Sequence, residues 1–233
     1  MMTVITDRME NLVNDYRFEK KFHTNILGPA DILDRVLSSR ALFRKEHEAR
    51  CVNSIYFDTP DLFFMQENLA GISNRCKVRV RWYGECMRVE GSPNIEIKVK
   101  KNALGFKYRY QLASVVKNQN APISRLLQSV SREVHASPEL LFLTSLEPKI
   151  LISYRRQYFI SAGGDVRLTL DSNIYFSAID ANGALGPQAR AMQDDVIVEL
   201  KYGLGAQDLD SIFDDLKFKF SRFSKYVVGM RFI

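Results

Sequence analysis

The chain has 233 residues, 46% apolar and 26% charged, with a formal net charge of +6. That composition describes a folded domain and excludes a disordered or fibrous chain. No run approaches the roughly 20 apolar residues of a membrane-spanning helix, and the acid-bearing first residues lack the apolar stretch of a signal peptide.

From Tyr16 to His23 the chain reads as a first strand, with Arg17, Glu19 and Lys21 on one face and Phe18 and Phe22 on the other. Gly28 to Arg40 has helical spacing: Pro29 suits the first helical position, and Ile32, Leu33, Val36 and Leu37 share a face. Strands follow at Cys51–Thr59, Asn74–Gly84, Asn94–Lys101 and Gly105–Leu112, the last two joined by a short hairpin loop. A second helix runs from Pro122 to Val134 on the stripe Ile123, Leu126, Leu127, Val130 and Val134. Strands resume at Ile150–Ser161 and Asp165–Asp171. The stretch from Ala178 to Asp194 is expected to be a long loop. A strand at Asp195–Tyr202, a helix carrying Leu209, Ile212, Phe213 and Leu216, and a terminal strand at Lys225–Phe232 complete the chain. Residues 1–233 form one α+β domain dominated by antiparallel sheet, with its core at about 16–229.

The basic balance implies an anionic partner, and the placement of the charges narrows the choice. Arg75, Lys77, Arg79 and Arg81 fall on one strand face, against Cys76, Val78, Val80 and Trp82 on the other. Glu96, Lys98 and Lys100 alternate with Ile95, Ile97 and Val99. Lys107 and Arg109 alternate with Phe106, Tyr108 and Tyr110, and Glu199 and Lys201 with Val198, Leu200 and Tyr202. Adjacent like charges on a sheet repel unless an anion compensates. A sheet closed on itself resolves this: the apolar faces lie outside under the helices, and the basic faces line a lumen that must be wet or filled by ligand. Arginine forks and lysine ammoniums suit phosphate groups, and an inward Glu suits either a plain ion pair with its basic neighbours or a divalent metal bridging phosphates. The aromatic residues of the Phe106–Tyr110 strand point away from the basic face, which argues against RNA. No Gly-rich segment precedes a Lys-Ser/Thr pair, so the chain is not a P-loop protein. Cys51, Cys76 and Cys86 have no metal spacing and are expected to be reduced thiols of a cytoplasmic protein.

These segments resemble, in order, the VTC domain of the triphosphate tunnel metalloenzyme superfamily. Arg17-Phe18-Glu19-Lys20-Lys21-Phe22 resembles the first tunnel strand, and Asn53–Leu62 the segment after the first helix. Val78–Gly84 carries the two tunnel arginines, Arg79 and Arg81. Ile95–Lys98 supplies Glu96 and Lys98, and Gly105–Arg109 supplies Lys107. Ser153–Phe159 is similar to the segment of a further tunnel arginine, assigned to Arg155, with Arg167 beyond it. Val196–Tyr202 puts Glu199 at the metal position, and Arg222–Gly229 supplies Arg222, Ser224 and Lys225. The cyclase and triphosphatase branch of the superfamily carries Glu-x-Glu-x-Lys on its first strand; here Arg17 replaces the first Glu, which favours the VTC branch.

The resemblance implies a closed antiparallel β-tunnel with helices outside, open at both ends, of a stand-alone bacterial type without sensor or membrane regions. It implies transfer of the ATP γ-phosphate to a growing polyphosphate with release of ADP. Lys21, Arg79, Arg81, Lys98, Lys107, Arg155, Arg222, Ser224 and Lys225 would meet phosphates, with Arg79, Arg81 and Lys225 acting in transfer and Glu199 holding Mn2+ or Mg2+. Hydrolysis of tripolyphosphate or a nucleoside triphosphate in the same tunnel, and polyphosphate binding without turnover, are the alternatives. ATP and polyphosphate are the expected partners, with no nucleic acid polymer, and a membrane-protein partner could hold the domain at the inner face of a membrane.

Overall fold

The computed structural model describes residues 17–85, 88–101, 104–112, 121–180, 182–190, 195–203, 205–207 and 209–233. Nine strands form one antiparallel sheet: β1 (Arg17–Thr24), β2 (Arg44–Asp58), β3 (Arg75–Gly84), β4 (Asn94–Lys101), β5 (Leu104–Gln111), β6 (Glu147–Ile160), β7 (Val166–Ile179), β8 (Leu185–Arg190) and β9 (Val196–Gly203). The order is β1-β9-β7-β6-β2-β3-β4-β5, with β8 pairing on β7. The two ends of the ladder curl toward each other, since Lys98 on β4 reaches Glu19 on β1 at 3.5 Å.

The apolar faces lie outside and are covered by helices, as the alternation requires. Helix α1 (Pro29–Leu37) starts at Pro29, and the carboxylate of Asp31 accepts the Gly28 amide at 2.9 Å. It packs with α4 (Leu209–Leu216) over β1, β7 and β9, joining Ile32, Val36, Ile212 and Leu216 to Leu168, Val198 and Leu200. On the other side α3 (Ile123–Ala136) and a 3-10 turn (Pro138–Ser145) place Leu126, Val130 and Leu143 on Val78, Val80 and Ile97.

Four features depart from the sequence expectation. A short helix α2 (Phe63–Leu69) follows β2, capped from a distance: the Asp58 carboxylate accepts the Phe64 and Met65 amides, each at 2.9 Å. Part of the expected loop after Ala178 is strand β8, while residues 191–194 lie outside the described residues. The expected terminal strand is instead helix α5 (Lys225–Gly229). Cys51 is disulfide-bonded rather than reduced, and Cys76 is a free buried thiol.

Helix α5 changes the shape of the interior. A third apolar cluster lies on the inner side of the sheet, where Val52, Ile150, Ile152, Ile174, Phe176 and Ile197 meet Tyr226. A Cβ on Gly229 would sit 2.6 Å from Phe176 and 2.7 Å from Ile150, so only glycine lets the helix approach this closely. The Tyr226 hydroxyl donates to Asp58 at 2.6 Å. Where α5 sits, the β6 and β7 part of the inner face is therefore apolar, while Arg79 and Lys77 on β3 reach the same helix end through Tyr56 and Ser224.

Candidate active site

The charged part of the inner face is built on two groups of strands. On β3, Arg79 donates twice to one oxygen of Glu96 on β4, at 2.8 and 2.6 Å. Arg81 lies 3.7 Å from the same oxygen. Lys107 and Arg109 on β5 reach the other oxygen at 2.7 and 3.3 Å. Register explains this meeting, because Arg79, Glu96 and Arg109 lie directly opposite one another across three strands. Burial pushes the Glu96 carboxyl up, but Arg79, Arg81 and Lys107 together hold it well below the usual carboxylate range. Burial lowers the Lys107 ammonium to about 8 against the opposing pull of Glu96, with smaller help from Arg79 and Arg109.

Behind these arginines stand hydroxyl groups that orient them. Arg81 donates to Ser54 Oγ at 3.1 Å and to the Tyr154 hydroxyl at 3.2 Å. Arg79 donates to the Tyr56 hydroxyl at 3.0 Å. Burial raises the Tyr56 phenol, but Arg79, Arg81 and Lys77 outweigh it and bring the value down to about 7. Lys77 has no carboxylate partner among the described residues; it donates to Ser224 Oγ at 3.1 Å. Its burial, with Lys21 and Lys98 nearby, lowers it to about 8 against the pull of Tyr56.

The second group lies on β1, β9, β7 and β6, where register puts Lys21, Glu199, Thr169 and Tyr158 in one row. Lys21 pairs with Glu19 at 2.9 Å. Burial alone would lower Lys21, yet Glu199 and Glu19 raise it above its ordinary value. Glu199 is buried, with Lys201 at 3.2 Å and Arg156 at 3.5 Å. Despite burial, Lys21, Lys201 and Arg156 hold it far below the usual range. Arg156 donates to both oxygens of Asp171, at 2.5 and 2.7 Å. Asp171 is fully buried and also receives Lys225 at 2.5 Å, whose ammonium stands 4.5 Å above the Tyr154 ring.

Of the residues named from the sequence, Lys21, Arg79, Arg81, Lys98, Lys107, Glu199, Ser224 and Lys225 come together on this inner surface. Arg155 does not. It is exposed on the opposite side of β6, and the adjacent Arg156 takes the inward place. Two consecutive arginines cannot both face inward, and alternation from the Tyr154 hydroxyl, which meets Arg81, selects Arg156. Arg222 is exposed, its guanidinium beside Gly71 rather than in either group. Sequence reasoning did not single out Tyr56, Lys77, Arg156 or Asp171 as site residues. Alternation carried the signal for Lys77; nothing local marked Asp171, whose partners come from β6 and the distant C-terminus.

Among the described residues no group of three or more His, Cys, Asp or Glu is arranged as a metal centre. A cation bridging phosphates needs fewer protein ligands, because substrate oxygens and water supply the rest. Here the donor set fits: Glu19 on β1 and Glu199 on β9 stand on adjacent paired strands, with Lys21 directly opposite Glu199 and paired with Glu19. The buried Thr169 hydroxyl, directly opposite Glu199 across the ladder, has no hydrogen-bond partner.

The VTC domain family model matches residues 5–233. No curated protein matches the chain. Among solved structures, a candidate adenylate cyclase from Vibrio parahaemolyticus superposes with a TM-score of 0.51 at 12% identity, over 92% of this chain and 97% of that one. A candidate adenylate cyclase from Bacillus halodurans gives 0.50 at 13% identity, over 93% and 98%. At these identities the likeness establishes the fold, an antiparallel tunnel sheet.

Proposed function

Because the chain belongs to the VTC domain family, we propose that it is a polyphosphate polymerase that transfers the γ-phosphate of ATP to the end of a polyphosphate chain and releases ADP. The observation that carries this reading is the excess of cations on the inner face: Lys77 has no carboxylate partner among the described residues, and Lys107 shares Glu96 with three arginines. An anion entering this surface replaces repulsion among fixed cations with attraction, and it does so without reorganising the strands.

In the proposed reaction a terminal phosphate oxygen of the chain attacks the γ-phosphorus, a new P–O–P bond forms, and the bond to the bridging oxygen of ADP breaks with its electrons on ADP. The attacking group belongs to the substrate, so no side-chain nucleophile is needed. Lys21, Lys77, Arg79, Arg81, Lys98 and Lys107 bind and align the triphosphate, and Arg156 takes the part that the sequence assigned to Arg155. Ser224 and Lys225 reach the site from the start of α5. Glu199, with Glu19 and Thr169, would hold Mn2+ or Mg2+, which when bound supplies positive charge between phosphate oxygens. Positioning and charge neutralisation are what a loose phosphoryl-transfer transition state requires.

No helix among the described residues is long and apolar enough to cross a membrane. A cytoplasmic place, with membrane attachment through a partner protein, belongs to the same proposal. Incubation with ATP and Mn2+ followed by gel electrophoresis tests the reaction. A polymer ladder supports it, orthophosphate alone makes the protein a hydrolase, and no ATP consumption makes it a binding module.

A further inference from the structure

The basic inner surface does not stop at Arg81 and Arg156. One step nearer the rim on the same strands stand Tyr83, after Arg79 and Arg81 on β3, and Tyr158, after Tyr154 and Arg156 on β6. Between the two rings lies the guanidinium of Arg50 from β2, 4.7 Å from the centre of Tyr83 and 4.9 Å from that of Tyr158. His47 meets Tyr158 edge-on at 5.7 Å. In the ladder Arg50 is directly opposite Arg156, and Tyr158 shares its row with Thr169, Glu199 and Lys21. The body of α5 lies toward the other end, since six positions separate Arg50 from Tyr56, which stacks on Tyr226, a span of about 20 Å along a strand; only the Lys225 side chain at its start reaches back, to Asp171 beside Arg156.

We propose that Arg50, clamped between Tyr83 and Tyr158, is a subsite for one phosphate of a polyphosphate chain, beyond the phosphates held at the inner site; this rests on the function proposed above.

Three observations converge on it. Arg50 is exposed and has no acidic partner among the described residues. The two rings hold the guanidinium at cation–π distance, so part of its rotamer freedom is lost before any ligand arrives, and its N–H groups suit bidentate contact with a phosphate. Arg50 follows Arg81 and Arg156 toward this rim along the same inner face, directly opposite Arg156 in the ladder, so a chain that leaves the inner site in this direction meets it next. The inner faces of both rings are occupied by the guanidinium, which disfavours the other natural guest of an aromatic pair, a nucleobase: a base would have to expel the arginine before stacking.

Calorimetric titration of the full chain with tripolyphosphate, ATP and long-chain polyphosphate separates these cases. Arg50→Ala is expected to weaken long-chain polyphosphate about tenfold and to leave tripolyphosphate and ATP within about twofold. Arg50→Lys should recover part of the loss, because the charge stays while the fork and the stacking go. Tyr83→Leu should weaken only the long chain, with an unchanged melting temperature. Unchanged long-chain affinity in Arg50→Ala overturns the subsite while leaving the proposed function standing. Equal loss for tripolyphosphate and long chain overturns it by merging Arg50 with the inner site, and loss for ATP alone makes the rim a nucleobase site. A wild-type protein that binds neither tripolyphosphate nor ATP ends the proposed function and the subsite with it.

Discussion

The amine of Lys225 lies 2.5 Å from a carboxylate oxygen of Asp171, tying the first residue of helix α5 to strand β7 across 54 positions of sequence. Asp171 is fully buried; Arg156 meets both of its oxygens and Lys225 shares one of them. The ion pair holds α5 over the inner face and keeps a cation at the edge of the phosphate surface. Lys225→Ala leaves Asp171 with Arg156, so the protein should still fold. Turnover at saturating ATP is expected to fall at least about tenfold, with a smaller change in ATP affinity, as for a contact made mainly in the transition state. Steady-state kinetics on the folded variant check this, and unchanged turnover would leave the lysine with its structural role alone.

Glu199→Gln preserves shape and removes one negative charge from among Lys21, Lys201 and Arg156. Metal-dependent turnover should disappear while the melting temperature changes little, because Gln still offers an oxygen to the cations. Mn2+ titration of both proteins supplies a second readout. A variant as active and as tightly Mn2+-binding as the wild type would confine Glu199 to ion pairing.

Adjacent arginines on β6 make opposite predictions. Arg155 is exposed, and Arg155→Ala should alter stability by no more than about 0.5 kcal/mol. Arg156→Ala strips the two-point partner from fully buried Asp171 and should cost on the order of 3 kcal/mol. Denaturant melts of the two variants decide which side chain faces in. Arg79→Ala and Arg81→Ala should each lower activity at least about tenfold, or about 1.4 kcal/mol of transition-state stabilisation; wild-type rates in both would dissolve the inner-face site.

Charge on the inner face should change near neutral pH. Burial, reinforced by Lys21 and Lys98 and opposed by Tyr56, lowers Lys77 to about 8. Tyr56, despite the opposing effect of burial, is brought to about 7 by Arg79, Arg81 and Lys77. Below both values Lys77 is an ammonium and Tyr56 a neutral phenol. As pH rises through about 7 and then 8, a negative charge appears and a positive one vanishes. Both changes oppose anion binding, so tripolyphosphate affinity should decline from about pH 7 to about pH 9, and Lys77→Met should make the decline shallower. Equal slopes in the two proteins would show that Lys77 does not titrate against the ligand.

Much of the fold was legible because its signals are local. Strict alternation on β3, β4, β5 and β9 identified which side chains share the basic face, and the 3.6-residue stripes of α1, α3 and α4 identified the outer helices. Helix α2 escaped because its cap, Asp58, stands ahead of Thr59-Pro60, away from the first helical turn. Helix α5 was taken for a strand because Tyr226, Val227 and Val228 favour extended backbone by themselves. Packing on Ile150 and Phe176 through Gly229 outweighs that preference.

The sequence by itself determined the antiparallel α+β frame and the basic inner face, because a period of two residues separates the faces wherever the partners lie. It also carried Lys21, Arg79, Arg81 and Glu199 into one list. Only the tertiary structure decided which carboxylate each cation meets: Glu96 for Arg79 and Lys107, Asp171 for Arg156 and Lys225. It alone turned Arg156 inward in place of Arg155, packed α5 on the inner face and set Arg50 within reach of two tyrosine rings. Those choices depend on strand register and on contacts between residues far apart in the chain, and no local pattern of residues encodes the distance between two strands.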